Sequence, residues 1–178
     1  MQKPNPTLEE IRAQYPNIDI NMSDGPDSFN PTAPIVERDP IAVVIKHPTD
    51  ELYLLAKWRK SDWTGLLTGG IEEGDTLEET VKKEIHEEAG FKNVTHIQPL
   101  DFVSHGLFFH PIKNVNRLAH YHLVFAQLKD LEQDEIAEDE KAIAEFVWVP
   151  KGEVLSLLTR NDMRLLWEYY VSLPNSIN

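Results

Sequence analysis

Residues 69–91 read GGIEEGDTLEETVKKEIHEEAGF, a glycine-rich turn that runs into a segment crowded with carboxylates. Thr76 followed three positions later by Glu79 forms a capping box, with Asp75 and Glu78 as a second register. Gly90 supplies the stop, so the pattern predicts a helix from near residue 76 to Ala89. On it Glu84, Glu87 and Glu88 stand at i, i+3 and i+4 and share one narrow arc. Val81, Ile85 and Ala89 fall on the adjoining arc. The three carboxylates are therefore expected beside the buried edge of the helix.

Like charges at i, i+4 cost a helix about 0.2–0.5 kcal/mol per pair, and more as the dielectric falls towards a core. A divalent cation reverses the sign of that cost. Oxygen-only ligands suit hard ions, Mg²⁺ first and Mn²⁺ or Ca²⁺ next, with substrate phosphates completing the coordination. A solvated acidic face is the alternative. The glycines flanking this helix favour the metal.

Gly69, five residues, Asp75, seven residues, Lys83-Glu84-Ile85, one residue, Glu87-Glu88, one residue and Gly90-Phe91 resemble the Nudix box, the signature of a large hydrolase superfamily. The spacing matches without gaps. The resemblance implies that Glu84, Glu87 and Glu88 hold the metals and that the carbonyl of Gly69 adds a ligand. It also implies that Asp75 and Lys83 form an ion pair propping the loop against the helix. Both depart from the family's Glu and Arg, and a lysine lacks the bidentate fork of an arginine. The pieces VERDPIAVVIKH, LTGGIEEGD and NVNRLAHYH are further similar to a Nudix-like segment inside some bacterial leucyl-tRNA synthetases.

Composition narrows the classes. The 178 residues suffice for one domain with an extension. No apolar run approaches the length of a membrane span, and the N-terminal residues MQKPNPTLEE lack a secretory pattern. With no cysteine there is no thiolate site and no disulfide framework, so the cytoplasm is the expected compartment. The net charge of −13 argues against nucleic acid held by bulk electrostatics. Eight of the 30 acidic residues lie within 69–91, tying much of that charge to the candidate site.

Residues 1–40 carry seven of the 12 prolines and one short helical pattern opened by Thr7 and Glu10. They read as an N-terminal extension that packs on the body, swaps across a homodimer or stays mobile. From Ile41 to residue 178 the chain reads as one domain. IAVVIK and ELYLLAKW are strands around a turn at His47–Asp50, followed by a short strand at Leu66-Leu67. Val94–Ser104, Leu118–Leu128 and Phe146–Val149 are further strands. Pro150 opens a helix, and Asp162–Leu173 forms the last one, with Met163, Leu166, Trp167 and Tyr170 as its core stripe. This order predicts an α+β fold, a mixed β-sheet sandwich flanked by helices, the outline the Nudix resemblance implies.

By the same resemblance Arg59, about ten positions before the box, touches substrate phosphate. Asn114, Asn116 and Arg117 border the substrate pocket or form a plain turn. His105, His110, His120 and His122 read as polar pocket residues, with a zinc centre as the alternative. The resemblance puts the general base in the box or in the acidic loop 129–141 and just beyond it, where Glu140 and Glu145 are the candidates and Glu140 is taken. Together these imply a Mg²⁺-dependent hydrolase, with Mn²⁺ as substitute, that splits a phosphoanhydride in a nucleoside diphosphate linked to another group. A non-catalytic module binding a nucleotide or a protein on the same fold is the alternative.

Overall fold

The computed structural model describes residues 5–174. The outermost residues of the expected extension and of the expected domain lie outside that range.

The central strand follows from the run PIAVVIK. It forms β3 (Pro40–Lys46), buried from Ile41 onward, as a continuous apolar run demands when both faces of a strand are covered. Its side chains divide the core. Ile41, Val43 and Ile45 join Val81, Ile85 and Ala89 of the box helix on one face. Ala42 and Val44 join Val154, Leu166, Trp167 and Tyr170 on the other. The sheet thus lies between helices, as expected for this class.

Around β3 the sheet is mixed. One edge runs parallel to β8 (Val115–Leu128). The other edge is shared between two antiparallel partners: Pro40–Val43 pair with β6 (Leu67–Gly70), and Ile45-Lys46 pair with β4 (Leu52–Trp58). β4 also carries β5 (Thr64–Gly65) and β9 (Ala144–Pro150). The box helix α2 spans Leu77–Ala89, and α4 (Lys151–Leu157) and α5 (Asn161–Ser172) cover the far face. Met163, Leu166, Trp167 and Tyr170 are all buried on α5, as their spacing required. No helix among the described residues is long and apolar enough to cross a membrane.

Two features extend the sequence reading. The strand from Val94 continues as β7 to His110, and β8 begins at Val115, so GLFFHPIKNVNR is mostly hairpin with a turn at residues 111–114. Residues before 41 also add to the sheet. After α1 (Leu8–Gln14), β1 (Asp19–Ile20) pairs parallel with β7, and β2 (Ile35–Arg38) pairs parallel with β8. Ile11, Leu107 and Leu118 form a small third core with Ile18, Ile20, Phe29 and Ile35 packed around it. Buried Asn116 fastens this layer, donating to Asn30 O at 2.7 Å and Ala33 O at 3.0 Å and accepting from Asn30 N at 2.9 Å. The extension therefore packs on the sheet of its own chain.

Candidate active site

The box helix begins where its caps dictate. Thr76 Oγ1 accepts from Glu79 N at 3.2 Å, and Glu79 Oε2 accepts from Thr76 N at 2.8 Å. At the far end Gly90 adopts φ 78°, a conformation in which a Cβ is strained. These caps fix the phase that turns Val81, Ile85 and Ala89 inward, and Glu84 and Glu88 come with them to half-buried positions. Glu87 stays exposed.

Gly69 is the second half of the arrangement. It sits on β6 opposite Ile41, and the carboxyl of Glu84 occupies the space where a side chain at 69 would begin. A Cβ there would collide with Glu84, so a glycine is required for the carboxylate to lie against the strand. Burial, followed by the charge of Glu87, pushes Glu84 up to about 7. Burial, followed by Glu84 and then Glu140, pushes Glu88 up to about 8. The basic residues of the helix are engaged elsewhere: Lys82 with Glu78 at 2.6 Å, Lys83 with Glu72 at 2.6 Å, and His86 with Asp134 at 3.0 Å. The result is a patch of crowded carboxylates held between a strand and a helix.

The other expected residues are placed as follows. Lys83 donates to Glu72 rather than to Asp75, which acts on it only through longer-range charge. Glu72, in the turn before the helix, reaches the ammonium where the shorter Asp75 does not. Glu140, on the single turn α3 (Glu138–Lys141), lies close enough to raise both Glu84 and Glu88. Glu145 is exposed on β9, in register with Lys57. Arg59 follows β4 and lies against the same acidic segment, its backbone N–H donating to Ile143 O at 2.8 Å and its Nε to Lys141 O at 2.7 Å. Arg117 alternates with Leu118 and shares the sheet face of Tyr121, opposite the box helix, with Arg38 nearby.

The histidines form a separate group. His105 Nδ1 and His120 Nδ1 share a hydrogen bond at 2.8 Å, the ring of Tyr15 lies 4.5 Å from His105, and His122 meets Asp39 at 3.2 Å. Among the described residues no three His, Cys, Asp or Glu side chains converge into a preformed metal cage, either at these histidines or at the box glutamates. Glu37, Asp39 and Tyr15 escaped the sequence reading. The alternation of Glu37 with Asp39, matching that of His120 with His122, is a signal that could have found the two acids.

The chain thus combines a mixed sheet covered by helices with a glycine-bearing strand stacked against a carboxylate-rich helix. A sequence model of the NUDIX domain matches residues 37–168, and the chain belongs to the Nudix family, whose members of this kind are pyrophosphohydrolases. No curated protein matches it in sequence. Solved structures share the fold at low identity. The E. coli dihydroneopterin triphosphate pyrophosphohydrolase is 17% identical with a TM-score of 0.56, over 75% of this chain and 94% of that one. A NUDIX hydrolase from Listeria monocytogenes is 19% identical with a TM-score of 0.52, over 72% and 88%. A NUDIX hydrolase from Nitrosomonas europaea is 17% identical with a TM-score of 0.51, over 80% and 96%.

Proposed function

We propose that this chain is a cytoplasmic, Mg²⁺-dependent pyrophosphohydrolase acting on a small-molecule nucleotide, a nucleoside diphosphate linked to a further group, with Mn²⁺ as a substitute ion. The observation that carries the reading is the stacking of Glu84 against Gly69 beside Glu88, with Glu140 facing both. Oxygen donors crowded at the edge of a core fit a hard divalent cation, which relieves their repulsion. When bound, such an ion polarises phosphate oxygens and lowers the pKa of water. Glu84, Glu87, Glu88 and the Gly69 carbonyl would hold it. Glu140 would accept the proton of the attacking water, and Arg59 would anchor a phosphate. Lys83 and Glu72 keep the turn docked on the helix, with Asp75 lending further negative charge. In the net reaction the water oxygen bonds to one phosphorus, the bridging oxygen departs with the other phosphate, and a proton is released.

A phosphatase-coupled phosphate-release screen with Mg²⁺ over nucleotide sugars, ADP-ribose, dinucleoside polyphosphates and nucleoside triphosphates tests the reading. Metal-dependent release from at least one group is expected. Silence throughout the panel refutes it.

The crowded carboxylates also predict a pH signature. Glu84 and Glu88 hold protons more tightly folded than unfolded, so their contribution to stability is complete below about 4.5 and is lost as pH rises through about 7 and 8. In EDTA the Tm should fall between pH 6 and 8.5, and Mg²⁺ should raise it most at the alkaline end. Calorimetric scans showing the same Mg²⁺ shift at pH 5 and pH 8.5 would contradict this.

A further inference from the structure

A cavity of about 420 Å³ opens between the N-terminal segment and the β4–β5 turn, within the size range of ligand clefts. Its N-terminal wall is held in place. Asn21 is buried, its side chain donates to Asp27 O at 2.9 Å, and its backbone accepts from Phe29 N at 2.7 Å and donates to Leu107 O at 2.8 Å. Phe109 N also donates to Asp27 O, at 2.9 Å, so the backbone that carries the Asp27 carboxylate is pinned to β7. Across the cavity Trp63 is clamped, with the Arg160 guanidinium 4.8 Å from its ring centre and Phe108 edge-on at 5.4 Å. Arg59, Lys60 and Asp62 complete the lining that matters here.

Two observations say what such a cavity takes. The first is position: Arg59 lines it and also donates to the backbone of Lys141, next to Glu140, so one side chain links the cavity to the segment that carries Glu140. The second is chemistry. Two carboxylates and two cations face one space beside an indole. A further phosphate would meet Asp27 and Asp62. An apolar group would strand four charged side chains out of water. A neutral group with many hydroxyls satisfies acceptors and donors alike, and its C–H face suits an indole.

We infer that this cavity receives the group attached to the nucleoside diphosphate, and that this group is a neutral polyol of the glycosyl class, bound in part by a wall from the N-terminal extension. The inference rests on the hydrolase reading for its reaction but not for its binding. Hydrolysis would then yield a nucleoside monophosphate and a sugar phosphate.

The test uses the full chain, wild type and Asp27→Asn/Asp62→Asn, with ADP-glucose and UDP-glucose against ADP and UDP. In wild type kcat/KM should favour each sugar nucleotide over its diphosphate, and the double variant should lower that ratio at least tenfold, chiefly through KM. Saturation-transfer NMR in EDTA reads binding without turnover: glucosyl protons should be saturated in wild type and lose most of that signal in the variant. An unchanged ratio, or glucosyl signals equal in wild type and variant, overturns the inference. Absence of all turnover with glucosyl saturation intact would refute the hydrolase reading and leave the cavity assignment standing.

Discussion

Glu88→Gln lowers metal-dependent turnover by about 10²- to 10³-fold, the usual effect of removing one preorganised charged group from a phosphoryl-transfer site. The fold should survive. Glu88 is half-buried and faces the charges of Glu84 and Glu140, so the amide removes a repulsion along with a ligand. In EDTA at pH 8 the variant should melt no lower than wild type, and its Mg²⁺-induced rise in Tm should largely vanish. Kinetics with the best substrate of the screen, together with melting curves, separate the outcomes. Turnover within threefold of wild type would remove Glu88 from the site. Turnover lost together with the helical circular-dichroism signal would make its role structural.

Gly69→Ala is expected to be nearly as damaging although it adds one methyl group. That methyl falls on the Glu84 carboxyl. Overpacking of this kind costs about 1–3 kcal/mol when nothing yields. Here the obstacle is a flexible side chain, so the relief is for Glu84 to swing away, and a stability cost becomes a functional one. The Mg²⁺ concentration for half-maximal rate should rise tenfold or more, with a Tm loss of only a few degrees. Gly70→Ala is the control, since a Cβ there meets nothing within 4 Å, and it should behave as wild type. Equal Mg²⁺ dependence in the two variants would show that Glu84 does not need its place over Gly69.

Local chemistry made the centre of the molecule legible. Thr76, Glu79 and Gly90 name the ends of α2 through caps that act within one turn, and the spacing of Val81, Ile85 and Ala89 sets its phase. The α5 stripe was readable for the same reason. What stayed hidden depends on partners far along the chain. Two-residue β1 has no period to detect, and β2, IVER, becomes a strand only because β8 lies beside it. The exchange of Asp75 for Glu72 as the partner of Lys83 turns on side-chain reach across a loop, which spacing does not encode. Arg117 reads from sequence as a pocket residue or part of a plain turn, whereas the sheet face it occupies is set by its register on β8, opposite Phe108.

The parallel pairing of β2 with β8 has a practical side. The NUDIX match starts at residue 37, inside that strand, and a fragment cut at 41 would keep nearly all of the matched residues. It would lose the partner of Asn116–Ala119 and uncover Leu107 and Leu118, leaving a bare β edge next to an apolar patch. Such edges template self-association. Light scattering should find the 41–178 fragment aggregating at concentrations where the full chain stays dispersed. Residues 5–40 would then act as an internal guard of that edge against self-association.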